Sequence, residues 1–112
     1  MPRIVTVFRS RLRNDVPEEY WTLARELEQL AREVDGFVEY KVFTAPDGER
    51  LSLAVFESAV AEEAWRDHVA HREAQLRGRE RFYEQYDVSV CEVSRQRVWT
   101  RSFGLEGDES SR

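Results

Sequence analysis

"FVEYKVFTAPDGERLSLAVFES", residues 37–58, holds two apolar-rich runs joined by Pro46, Asp47, Gly48 and Glu49. The runs are rich in β-branched and aromatic residues, and the joining residues place a glycine where a tight turn needs positive φ. The stretch predicts a β-hairpin. Phe37 and Phe43 alternate against Val38, Tyr40 and Val42, and Leu51, Leu53 and Val55 alternate against Ala54 and Phe56. Both faces of the hairpin are therefore apolar, which is the pattern of strands covered on both sides.

The flanking segments supply the rest of a small sheet. "RIVTVFRSRL", residues 3–12, predicts a first strand in which Ile4 and Phe8 alternate against Val5 and Val7, ended by Asn14 and Asp15. "VPEEYWTLARELEQLAREV", residues 16–34, sets Tyr20, Leu23, Ala24, Leu27, Leu30, Ala31 and Val34 at helical spacing. Pro17 and two glutamates suit the start of that helix, and Asp35 with Gly36 suits its end. "AWRDHVAHREAQLRGRERFYEQY", residues 64–86, predicts a second helix with a break at Gly78. "DVSVCEVSRQRVW", residues 87–99, predicts a fourth strand, with Val88 and Val90 alternating against Cys91 and Val93. Cys91 is the only cysteine; it excludes an internal disulfide and is expected as a small buried hydrophobe.

The order strand, helix, strand, strand, helix, strand is α+β and ferredoxin-like, a βαββαβ chain with a four-stranded antiparallel sheet carrying both helices on one face. One domain is expected over residues 1–103, followed by a disordered, polar tail at 104–112. Two helices cover only one apolar face. The other, on which Val90 is expected, needs a cover, and a second copy of the sheet supplies it most economically. A homodimer is thus expected, with Trp99 and Phe103 as aromatic anchors of an arm reaching the other subunit.

The 112 residues carry a net charge of −5, with 17 basic side chains interleaved among 22 acidic ones. No one-signed stripe offers itself to a phosphate backbone, so nucleic acid is not an expected partner. The apolar runs are strand-length and the N-terminus lacks a signal-peptide pattern, which predicts no membrane association and a cytoplasmic protein. No Walker loop, GxGxxG or GxSxG occurs, and His68 and His71 have no clear third ligand beside them, so neither a nucleotide cofactor nor a metal is expected.

Candidate chemistry gathers on the second helix. Trp65, His68 and Arg72 share one stripe, with His71 at its edge. A structural reading makes Trp65, Leu76, Phe82 and Tyr83 core anchors with the histidines at the rim. A functional reading makes the helix one wall of a pocket against the sheet, where Trp65 stacks a flat ligand and a histidine moves a proton near neutral pH.

"VDGFVEYKVFTAPDGERLSLAVFES" followed by "AEEAWRDHVAHREA" resembles the antibiotic biosynthesis monooxygenase domain family, over residues 3–98. The resemblance implies a dimeric α+β barrel built from two ferredoxin-like sheets. It also implies a cofactor-independent monooxygenase for a small aromatic or quinol-type substrate. In that chemistry a phenol is deprotonated and its anion reduces dioxygen directly. Trp65 would stack the ring, His71 or His68 would accept the proton, and Tyr40 or Tyr83 would donate a hydroxyl. Two departures keep alternatives open. Ala61 stands where the polyketide oxygenases of the family carry an asparagine, which favours a non-catalytic homodimer binding a small molecule. The family also holds haem-degrading members, but Gln75 stands where these place a histidine, and "IVTVFRSRL" lacks their strand asparagine.

Overall fold

The computed structural model describes residues 1–101. Phe103 and the tail at 104–112 lie outside them. The chain runs β1 (Ile4–Leu12), α1 (Glu19–Glu33), β2 (Phe37–Thr44), β3 (Arg50–Phe56), α2 (Ala59–Leu76), a short α3 (Gly78–Phe82) and β4 (Tyr83–Glu92). The sheet order is β2-β3-β1-β4, antiparallel throughout, which is the ferredoxin-like arrangement expected from the sequence.

Local chemistry sets the joints. In the hairpin turn Gly48 has φ +94°, and the Asp47 carboxylate accepts the Glu49 N–H at 3.0 Å. Ser58 caps α2 by accepting the Ala61 N–H at 3.2 Å. Gly36, at φ +101°, turns the chain from α1 into β2, and its carbonyl accepts the Glu57 N–H at 2.8 Å. A Cβ at Gly36 would stand 3.0 Å from the Ala61 Cβ, so both φ and space require glycine there.

Four sequence readings change in the structure, the fourth being the face of Val90 described below. The break in the second helix falls at Arg77, which ends α2 with φ +54°, and Gly78 opens α3. Strand four begins at Tyr83 and ends at Glu92, so Tyr83 and Tyr86 are strand residues and the segment holding Trp99 is not. The edge position of β4 beside β1 extends its pairing back to Leu12, and that ladder outweighs the helix propensity of the preceding residues. Cys91 is exposed, because β4 is an edge strand whose residues past Tyr83 are exposed on both faces.

Register assigns the faces. Ile4, Thr6, Phe8 and Ser10 of β1 pair with Phe56, Ala54, Ser52 and Arg50 of β3, and these face the helices. Val90 pairs with Thr6 and Val88 with Phe8, so both belong to the helix side, not to the outer face expected for Val90. Alternation gives the period of a strand but not which phase meets the helices. The outer face carries Val5, Val7, Leu51, Leu53, Val55 and the exposed Phe43. No described element covers it.

The helix side holds two core clusters. One joins Ala31, Ala54, Phe56, Ala61 and Trp65; the other joins Tyr20, Leu23, Phe82 and Tyr83. The space between them is the site discussed next. Gly36→Ala should cost more than about 1 kcal/mol in urea unfolding, because it forces a left-handed φ and a close contact together. A change within about 0.3 kcal/mol would contradict the role given to that joint.

Candidate active-site cavity

On α2, residues advance about 100° each, so Glu62, Trp65, Val69 and Glu73 form one broad stripe. All four line a cavity of about 500 Å³ between the helices and the sheet. Trp65 also lies on the side that meets α1. Its indole N–H donates to the Leu27 carbonyl at 3.0 Å, and Arg72 pairs with Glu26 through two bonds of 2.8 and 3.0 Å. These contacts hold α2 to α1, while the neighbouring stripe is left facing the sheet.

Tyr40, Trp65 and Tyr83, singled out in the sequence, are brought together in this cavity. The Tyr40 and Trp65 rings meet edge-on at 6.1 Å between centroids. His68 and His71 are not brought in. Both are exposed, neither lines the cavity, and His71 contacts Gln75 at 3.2 Å. Their place follows from the helix: about 60° and 120° from Trp65 on the side away from Glu62 and Val69. Among the described residues, no three His, Cys, Asp or Glu side chains converge as a metal site would require.

The carboxylates of the cavity are ones the sequence analysis does not single out. Glu62 is 1 % exposed; it accepts the Thr6 hydroxyl at 3.0 Å and pairs with Arg66 at 2.8 Å. Buried charge requires such partners. Glu73 lies beside Tyr83, and burial raises its carboxyl above the ordinary value, an effect partly offset by the charge of Arg79 and by the Tyr83 hydroxyl. Burial likewise raises the Tyr83 and Tyr40 hydroxyls, so both phenols stay protonated and available as donors. Spacing alone marks Glu62 and Glu73, at −3 and +8 from Trp65, as stripe partners; the ring-bearing histidines drew the reading to the wrong side.

A profile of the antibiotic biosynthesis monooxygenase family matches residues 3–77. The chain belongs to this family. An uncharacterised Bacillus subtilis relative, YqjZ, is 30% identical over 98 residues, covering 88% of this chain and 86% of its own length. A Pyricularia oryzae relative named jasmonate monooxygenase ABM is 31% identical over 91 residues, covering 79% of this chain; the match spans only 42% of that protein. Among solved structures, the fold is similar to SnoaB, a cofactor-independent oxygenase from Streptomyces nogalater (TM-score 0.65, 15% identity, 86% of this chain and 96% of that one). Rv0793 from Mycobacterium tuberculosis is similar to the same degree (TM-score 0.65, 20% identity, 84% and 95% coverage). At such identities these structures bear on the fold alone.

The raised Glu73 carboxyl has a consequence for stability. Its folded-state value lies above the ordinary 4.5, so between the two the folded protein holds a proton that the unfolded chain releases, and wild-type stability falls as pH rises from 4.5 through the raised value and then levels off. Glu73→Gln removes this slope. Relative to wild type, the variant should gain stability as pH rises above 4.5 in urea titrations. A pH-independent difference would contradict the placement of Glu73 in the cavity wall.

Proposed function

We propose that this chain is a cofactor-independent monooxygenase acting on a small aromatic phenol or quinol in the cavity between the sheet and the helices. The observation that carries this reading is the cavity itself, ringed by aromatic side chains and holding a carboxylate of raised proton affinity. Family membership supplies the class of chemistry, and the residues supply the parts it needs.

The aromatic walls, Trp65 and Tyr40 above all, take a flat ring by stacking and edge contacts. Glu73 takes the phenolic proton, since a carboxyl lifted toward neutrality is a better base than an ordinary one. Tyr83 donates to the oxyanion left behind, and Arg79, whose guanidinium lies over the Tyr86 ring, adds positive charge beside it. The electron-rich anion then passes an electron to dioxygen, and the resulting pair combines into a peroxide. Loss of water gives a quinone, so that one naphthol and one dioxygen yield one naphthoquinone and one water. The base is thus assigned to Glu73 in place of His68 or His71, because neither imidazole reaches the cavity.

The working unit is proposed to be a homodimer. The outer face carries Val7, Leu51 and Leu53, half-buried, and the exposed Phe43, an apolar set that a second layer would cover. A second sheet laid against it closes the barrel that family membership implies. Past β4, Trp99 is exposed and is proposed as an anchor for the partner.

Oxygen uptake with 1-naphthol tests the reaction. Wild type should consume dioxygen and form naphthoquinone, Glu73→Gln should lose about a hundredfold or more in turnover, and a His68→Ala, His71→Ala double variant should keep it. Turnover that survives Glu73→Gln, or dies with the histidines, would overturn the assignment. Sedimentation equilibrium tests the assembly: about twice the 13.3 kDa chain mass is expected, dropping to one copy or to aggregate in Leu53→Asp. A monodisperse wild-type monomer would contradict it.

A further inference from the structure

Three carboxylates line the cavity, and two of them are already engaged. Glu28 is paired with Arg32 at 2.8 Å, and Glu62 with Arg66 at 2.8 Å. Glu73 stands with Arg79. On the opposite wall is Arg50, the first residue of β3, half-buried, lining the cavity, and without a carboxylate in ion-pair distance among the described residues. Its guanidinium is instead held by rings, 5.3 Å from the Trp21 centroid and 5.8 Å from that of Tyr20. Its charge reaches inward, acting on the hydroxyls of both Tyr40 and Tyr83.

A half-buried guanidinium has lost part of its hydration, and ring faces offset only some of that loss. An oxyanion delivered by a ligand would supply the rest through a forked pair of hydrogen bonds. Distance across the cavity then sets the ligand's shape. Ser10 of β1 pairs with Arg50 on one side and with Tyr86 of β4 on the other. Arg50 therefore faces the start of β4 across one intervening strand, Tyr86 directly and Tyr83 three residues before it, about 10 Å at two strand spacings. That is the span of a fused two-ring molecule with a group at each end.

We infer that Arg50 is an anion anchor and that the natural ligand is an aromatic acid, its carboxylate on Arg50 and its phenolic hydroxyl directed at Glu73 and Tyr83. This rests on the proposed reading of the cavity as the substrate site, and it adds what that reading leaves open: the class of substrate and the residue that selects it. Separation across the sheet keeps the ligand's carboxylate away from Glu73, so the base is not opposed by a like charge. The Tyr20 and Trp21 rings, at the start of α1, hold the guanidinium aimed into the cavity.

The test compares 5-hydroxy-1-naphthoate with 1-naphthol, which differ in the carboxylate alone and share a free position para to the hydroxyl. Binding is read anaerobically by quenching of tryptophan fluorescence, since Trp21 and Trp65 both line the cavity. Wild type should bind the acid at least about tenfold more tightly, the scale of a charge-assisted hydrogen bond. Arg50→Gln should reduce the ratio of the two affinities to near one, Arg50→Lys should keep part of it, and Arg11→Gln, whose residue pairs with Asp47 outside the cavity, should leave it unchanged. Equal affinities in wild type would overturn the inference without recourse to any variant, as would a ratio that survives Arg50→Gln. Should Arg50→Gln not fold, the wild-type ratio and Arg50→Lys decide. Oxygen uptake keeps the two proposals apart. Turnover of 1-naphthol with no preference for the acid sinks the anchor and leaves the monooxygenase reading; a clear preference with no uptake of oxygen does the reverse.

Discussion

The second long helix is tied to the first before it is tied to the sheet. Trp65 donates to the Leu27 carbonyl and Arg72 grips Glu26, so α1 and α2 form a braced pair. Against the sheet, α2 is held near its start, where Glu62 meets Thr6 and Trp65 joins Phe56. Farther along, α3 and Phe82 close the other end against Tyr20 and Leu23. A core pinned at both ends and braced across the top leaves a gap in the middle. The cavity is a consequence of that bracing, and a small domain that could have filled it with side chains has lined it with rings instead.

The same constraint places the charges. A carboxylate on the sheet-facing stripe of α2 is forced toward low dielectric, where it needs either a partner or a proton. Glu62 has the partner, in Arg66 and Thr6, and Glu73 takes the other course, its proton affinity raised by burial. One helix face therefore supplies a fixed ion pair and a movable proton, two turns or more apart. Opposite them, Arg50 is a half-buried cation with no carboxylate in ion-pair distance among the described residues.

Much of the fold was legible in residues 37–58 and their flanks. Apolar character on both strand faces announced a two-sided sheet, and the element order fixed its ferredoxin-like topology. What period cannot give is phase. Val90 and Cys91 alternate plainly, yet only pairing with Thr6 and Val5 decides that Val90 lies on the helix side of the sheet and Cys91 on the other, both exposed along this edge strand. The site divides along the same line. Trp65, Tyr40 and Tyr83 were marked by their size, whereas His68 and His71 were marked by their chemistry and lie on a part of α2 that faces water. Glu62 and Glu73 were hidden among many acidic residues on a strongly charged helix. Arg50 was invisible, because nothing in a hairpin strand's first residue says which rings of a distant helix will hold it.

The central claim is that ligand enters the space between the helices and the sheet, and the Trp65 indole proton reports on it directly. Its hydrogen bond to the Leu27 carbonyl spans the brace that roofs the cavity. In a two-dimensional ¹⁵N–¹H spectrum recorded anaerobically, added 1-naphthol should shift the Trp65 indole resonance together with the amides of Thr6, Val69 and Tyr83. Shifts confined to His68 and His71, or to Val7 and Leu53 on the outer face, would contradict the account.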